Sequence, residues 1–168
     1  MKATVMIVCL AVLSLLSTSC IAKNDQKMQK EQLEKLLASV LPFAQMMLEK
    51  SGEFYPYGAT MSAEGQITDV GGYTGDEHPK SVEVINLLTG GFKASATVGK
   101  IMACALVVDV RVIPPGQVEK TDAISVRLDH RDGMSVIMFY PYQIGPDKKV
   151  LFGQPFAQKG PGEIFGKN

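Results

Sequence analysis

Cysteine, histidine and net charge are what this sequence has least of. The 168-residue chain holds three cysteines, two histidines and a formal charge of zero. Cys9 lies inside an N-terminal apolar run and Cys20 at its end. Cys104 is then the one cysteine left for the rest of the chain, with no partner for an internal disulfide. A structural or catalytic zinc site needs three or four ligands. Besides carboxylates the chain offers only His78, His130 and Cys104, and Cys104 falls on the apolar side of a predicted strand. No metal and no cofactor is therefore expected. Without residues 1–19, which hold one cation, Lys2, there remain 16 basic and 17 acidic residues with no basic stripe. Nucleic acid is not an expected partner, since phosphate recognition needs such a footprint. No Gly-x-Ser-x-Gly elbow occurs, and Gly71-Gly72 and Gly90-Gly91 match neither a P-loop nor a dinucleotide fingerprint.

What the chain does have begins at its N-terminus. Lys2 gives a short positive region, Val5 to Leu16 is apolar apart from Ser14, and small residues follow up to Cys20. The run falls far short of the roughly 20 residues of a membrane-spanning helix, and this arrangement reads as a secretory signal. Thr18-Ser19-Cys20 resembles the lipobox of bacterial lipoproteins, with Ser17 where that family has leucine. The resemblance implies lipid attachment at Cys20. Ile21 in place of aspartate implies outer-membrane sorting, hence a periplasmic location and a membrane contact through the lipid. Ordinary cleavage after Ala22, leaving Lys23 first, is the alternative. The expected organisation is a signal peptide over 1–19, lipid attachment and tether over 20–28, and a single α+β domain over 29–168.

Leu33, Leu36, Leu37, Val40, Leu41, Ala44, Met47 and Leu48 keep helical spacing, predicting an amphipathic helix over 26–50 ended by Gly52, with a kink or break at Pro42. Phe54–Met61 and Gln66–Val70 predict a hairpin around Ser62–Gly65. Asp76-Glu77-His78-Pro79 reads as the opening of a second helix that continues through Val82, Ile85, Leu88 and Phe92. Ile101–Ile113, Asp122–His130 and Ser135–Tyr142 predict three strands, Val150–Phe152 a short edge strand, and the tail from Gly153 an irregular segment. The order α–β–β–α–β–β–β predicts an α+β fold: an antiparallel sheet of five or six strands with two helices on one face.

Two clusters carry polar chemistry. Asp76, Glu77 and His78 are explained by helix capping, and His130 with Asp129 and Asp132 by a β-turn. A hydrolase of envelope material using His78 or His130 with nearby carboxylates is the alternative function. The leading expectation comes from two aromatic segments, Phe54-Tyr55-Pro56-Tyr57 and Phe139-Tyr140-Pro141-Tyr142. Tyrosine offers apolar area and a hydroxyl together, so Tyr55, Tyr57, Tyr140 and Tyr142 are the expected partner-binding residues, forming one patch if the segments are neighbours. The runs Glu53–Tyr73 and Lys120–His130 are similar to a class of small uncharacterised bacterial proteins, a resemblance that implies no active site. The expected function is binding of a protein partner at the envelope. Immunity proteins against envelope-targeted toxins are the specific form.

Overall fold

A computed structural model describes residues 5–166, with side-chain surroundings from Lys23 onward. The signal segment's side chains, Cys20 among them, lie outside the described residues. The elements are α1 (Val5–Ser51), β1 (Tyr57–Met61), β2 (Ile67–Gly71), α2 (Ser81–Thr97), β3 (Ala103–Val112), β4 (Thr121–His130), β5 (Ser135–Ile144), β6 (Val150–Phe152) and β7 (Phe156–Lys159). Every strand pairing is antiparallel, in the order β2-β1-β3-β4-β5, with β6 and β7 both on the outer edge of β5. The fold is α+β, as the element order predicts. Among the described residues no helix is long and apolar enough to cross a membrane.

The amphipathic stripe of α1 forms for the expected reason. Leu33, Leu36, Val40, Ala44 and Leu48 recur every three or four residues and are all buried against the sheet. Pro42 does not break this helix. It sits on the exposed side, where its ring meets solvent rather than the sheet. The stretch expected as a tether, residues 20–28, falls within α1 as well. Gln32 Oε1 meets His130 Nε2 at 3.0 Å and Glu49 meets the Lys149 ammonium at 3.4 Å. These contacts lay α1 along the strands. Gln32, just past the middle of α1, lies by the β4–β5 turn, and the C-terminal end of the helix lies by β6.

The two helices are not on one face. Ala103, Ala105 and Val107 of β3 pack under α1, while Cys104 and Leu106 pack with Val84, Leu88 and Phe92 of α2 on the opposite face. The expectation of helices on one face is thereby corrected. The physical reason is visible in β3: six successive apolar residues, Ala103 to Val108, mark a strand covered on both sides. Ala103 to Val107 are all buried, whereas Asp109 is half-buried and Arg111 exposed farther along the strand. Gly58 of β1 lets α2 come close, since a Cβ there would lie 2.8 Å from the Phe92 ring and 2.2 Å from the Ala105 carbonyl oxygen. Helix α2 begins at Ser81, with Lys80 at its N-cap and no side-chain cap. The Asp76 carboxylate instead accepts the His78 amide at 2.9 Å, closing a loop ahead of the helix.

The seventh strand comes from the tail expected to be irregular. Tyr142 pairs with Phe152 and Phe139 pairs with Phe156. Two residues of β5 thus face three, Gly153-Gln154-Pro155, which is a one-residue β-bulge. It explains how Pro141 fits inside a ten-residue strand. The Pro141 carbonyl accepts the Gly153 amide at 2.8 Å. In an antiparallel ladder a residue's donor and acceptor point to the same neighbour. The donor that proline lacks therefore faces the bulge and not β4.

Candidate interaction site

The four expected tyrosines do not form one patch. Strands β3 and β4 lie between β1 and β5, which separates them by roughly 14 Å at ordinary strand spacing. Three of the hydroxyls or rings serve the interior. Tyr57 donates to the Val40 carbonyl of α1 at 2.6 Å, and its ring meets Phe43 and Phe54 edge-on. Tyr142, buried, donates to Asp109 Oδ1 at 3.0 Å. Tyr140 packs edge-on to Phe152 and against the α1 core. Burial pushes all three phenols above their ordinary value. Tyr55 alone is well exposed, at 48%, with its hydroxyl 3.3 Å from His78 Nδ1.

The two histidines are also apart. His78 is exposed in the loop before α2, and His130 is buried at the end of β4, beside Gln32 of α1. The Asp132 amide donates to His130 Nδ1 at 3.1 Å, so Nε2 carries the proton and donates to Gln32. Both ring nitrogens are occupied, and burial lowers the pKa, keeping the ring neutral. Neighbouring Asp129 points to the other face, where Ser135 Oγ donates to its Oδ1 and accepts the Gly162 amide at 3.0 Å. Burial raises the Asp129 carboxyl. Asp129 is buried although it stands next to an exposed turn. It is covered because the C-terminal segment crosses this face, held by the Arg127–Glu163 ion pair and by Ile164 in the α2 core. Because successive strand residues alternate faces, His130 cannot serve Ser135 as a base. His130 Nδ1 lies 3.6 Å from the Asp132 carboxylate and accepts the Asp132 amide, so this pair is engaged in the turn that ends β4. Among the described residues, no three His, Cys, Asp or Glu side chains converge to hold a metal ion.

What the sequence reading missed is a groove of about 480 Å³ on the face that α2 leaves open. Its floor is the end of that sheet face. Pro141, Gln143, Leu151 and Phe156 share one side of the sheet by register, and Pro114 and Pro115 of the β3–β4 loop form the opposite wall. Gln117, Thr121 and Gln154 supply the polar rim. Among the described residues, none that lines the groove carries a charge, in a chain that is 20% charged. The volume lies within the ~300–1,000 Å³ of ordinary ligand sites. Large exposed apolar side chains gather near it. Leu151 and Phe152 line it, Ile113 and Val118 belong to the loop that walls it, and Ile144 ends β5. Clustered apolar side chains, unlike scattered single ones, are what interaction surfaces in general present. The available signals were Pro114-Pro115 and Gly153-Gln154-Pro155, two rigid punctuations that fold onto one corner. Compared with known proteins, the chain matches no family model, and no curated protein or solved structure matches it.

Proposed function

We propose that this chain is an exported, lipid-anchored binding protein working on the periplasmic side of the cell envelope, where its groove end holds a protein partner. An immunity protein that neutralises an envelope-targeted toxin is the specific form of this role. The observation that carries the reading is the gathering of exposed apolar side chains round an uncharged groove. The export and lipid parts rest on Lys2, the apolar run and Thr18-Ser19-Cys20. Mass spectrometry of the mature N-terminus tests them. An acylated Cys20 is expected, and a free Lys23 terminus defeats the anchor.

In-cell crosslinking from the groove tests the binding role. A photoreactive residue at Gln117 should trap one protein species in stoichiometric yield, and the same residue at Lys93 on α2 should not. Equal yields from the two positions, or none from Gln117, defeat the reading. Tyr55 belongs to this proposal only as a surface residue on the other side of β3 and β4 from the groove. Its replacement by serine is expected to leave capture unchanged.

A further inference from the structure

We infer that the groove takes an uncharged, extended peptide segment of the partner, laid against the bulged edge formed by β6 and β7. This rests on the binding role proposed above and names the chemistry of what is bound.

Three observations converge on a peptide. The first is the absence of charge. No lining residue among the described ones can neutralise a charged ligand, and a buried charge without a partner is strongly disfavoured; Arg111, Lys120 and Asp122 line the adjoining hollow, outside the groove. Acidic or basic segments, phosphate groups and lipid headgroups are thereby disfavoured. The second is the polar rim. Gln117 and Gln154 of the rim, and Gln143 on the floor, each carry a carbonyl acceptor beside an NH₂ donor. Every non-proline peptide unit carries the same pair, so a glutamine amide satisfies either side of an extended backbone. The apolar walls, Pro115, Leu151 and Phe152, are left for side chains.

The third observation is position. The groove borders the bulge Gly153-Gln154-Pro155 on the outermost strand of the sheet. A bulge leaves a residue outside the ladder, and edge backbone is where extended segments add to a sheet. Pro155 and the bulge prevent a long, regular strand addition, so recognition is confined to a short segment. The groove also lies at the end of the sheet where α1 finishes, beside Gly52, Tyr142 and Gln143. Counting from Gln32 to Glu49, that end is roughly 25 Å along α1 from the end nearest the N-terminus.

The test uses the full chain in detergent and two probes. Heptapeptides are selected from a random displayed library, and chitotriose serves as a neutral, amide-bearing glycan. The expected result is selection of uncharged, aliphatic or proline-containing peptides that shift the amide resonances of Gln143, Leu151 and Gln154. Leu151→Glu, which places a charge at a 60% exposed position and so spares the core, should weaken them tenfold or more. Val82→Glu, exposed on α2, should leave them unchanged. Charged consensus peptides, shifts centred elsewhere, or equal affinity for Leu151→Glu would each overturn the inference. So would chitotriose shifting these resonances when no peptide does. A crosslinked partner whose capture survives Leu151→Glu sinks the groove assignment and spares the binding role. Selected peptides that behave as expected while no partner is trapped in cells do the reverse.

Discussion

Phe-Tyr-Pro-Tyr occurs twice, at 54–57 and at 139–142, and the two copies do different work. In the first copy the proline lies just before β1 begins, Phe54 is buried under α1, Tyr55 is exposed and Tyr57 ties the strand to a helix carbonyl. In the second the proline lies inside β5, Phe139 stacks on Phe156 on the opposite face, and Tyr140 and Tyr142 turn toward α1. An identical tetrapeptide thus gives one copy that joins helix to sheet and one that borders a groove. The difference comes from where each copy falls in its strand and from which elements roof that part of the sheet.

Replacing the phenylalanines should separate the copies most. Phe54→Ala removes a buried ring from the α1 core and is expected to cost about 3–5 kcal/mol, the usual range for such truncations. Phe139→Ala, at a half-buried ring on the more open face, should cost about half as much. Equal costs in chemical denaturation would mean that the open face is as tightly packed as the α1 face, and the contrast would collapse.

The tyrosines give the next largest effect. Tyr142→Phe removes the donor to Asp109, a half-buried carboxylate, and should cost about 2 kcal/mol at neutral pH. The Asp109 carboxyl is held above its ordinary value, first by burial and then by the nearby negative charges, with the Tyr142 hydrogen bond opposing them. A raised folded value means the folded chain binds this proton more readily than the unfolded chain does. Asp109 therefore supports the fold in acid, and that support is lost as pH rises from the ordinary carboxylate range through the raised value. Since the protonated acid needs no donor, the cost of Tyr142→Phe should shrink as pH falls through that window. A cost independent of pH between 3 and 7 would show that Asp109 does not depend on the tyrosine.

Tyr57→Phe should be smaller, about 1 kcal/mol, the ordinary net contribution of a neutral hydrogen bond, and insensitive to pH over the same range. Tyr55→Ser comes last. Exposed and away from the core, it should change stability by no more than about 0.5 kcal/mol. A larger loss would show that its contact with His78 holds the loop before α2 in place.

Much of the fold was legible because its signals are local. The α1 stripe, the hairpin turn at Ser62–Gly65 and the inward Ile124, Val126 and Leu128 of β4 each follow from a period or a turn residue within a dozen positions. The placement of α2 was less legible. The predicted run through Val82, Ile85, Leu88 and Phe92 says that one side is buried but not against which face of the sheet, and the structure turns Val84 inward and leaves Val82 exposed. β7 escaped because its four residues follow glycine and proline, and only pairing with β5 makes them a strand. The groove escaped for a related reason. Its walls come from the β3–β4 loop, β5 and the β6–β7 bulge, segments that no local pattern connects.

The sequence by itself determined which residues can be helix, strand and turn, since these depend on the spacing of apolar side chains and on the backbone freedom of glycine and proline. The tertiary structure decided which face each helix covers and hence the fate of each tyrosine. A phenol's partner is set by what lies opposite it in space, and a period of two along a strand says only that neighbouring residues face different ways. It also decided the groove, because a concave surface without charge is a property of three segments meeting and of none of them alone.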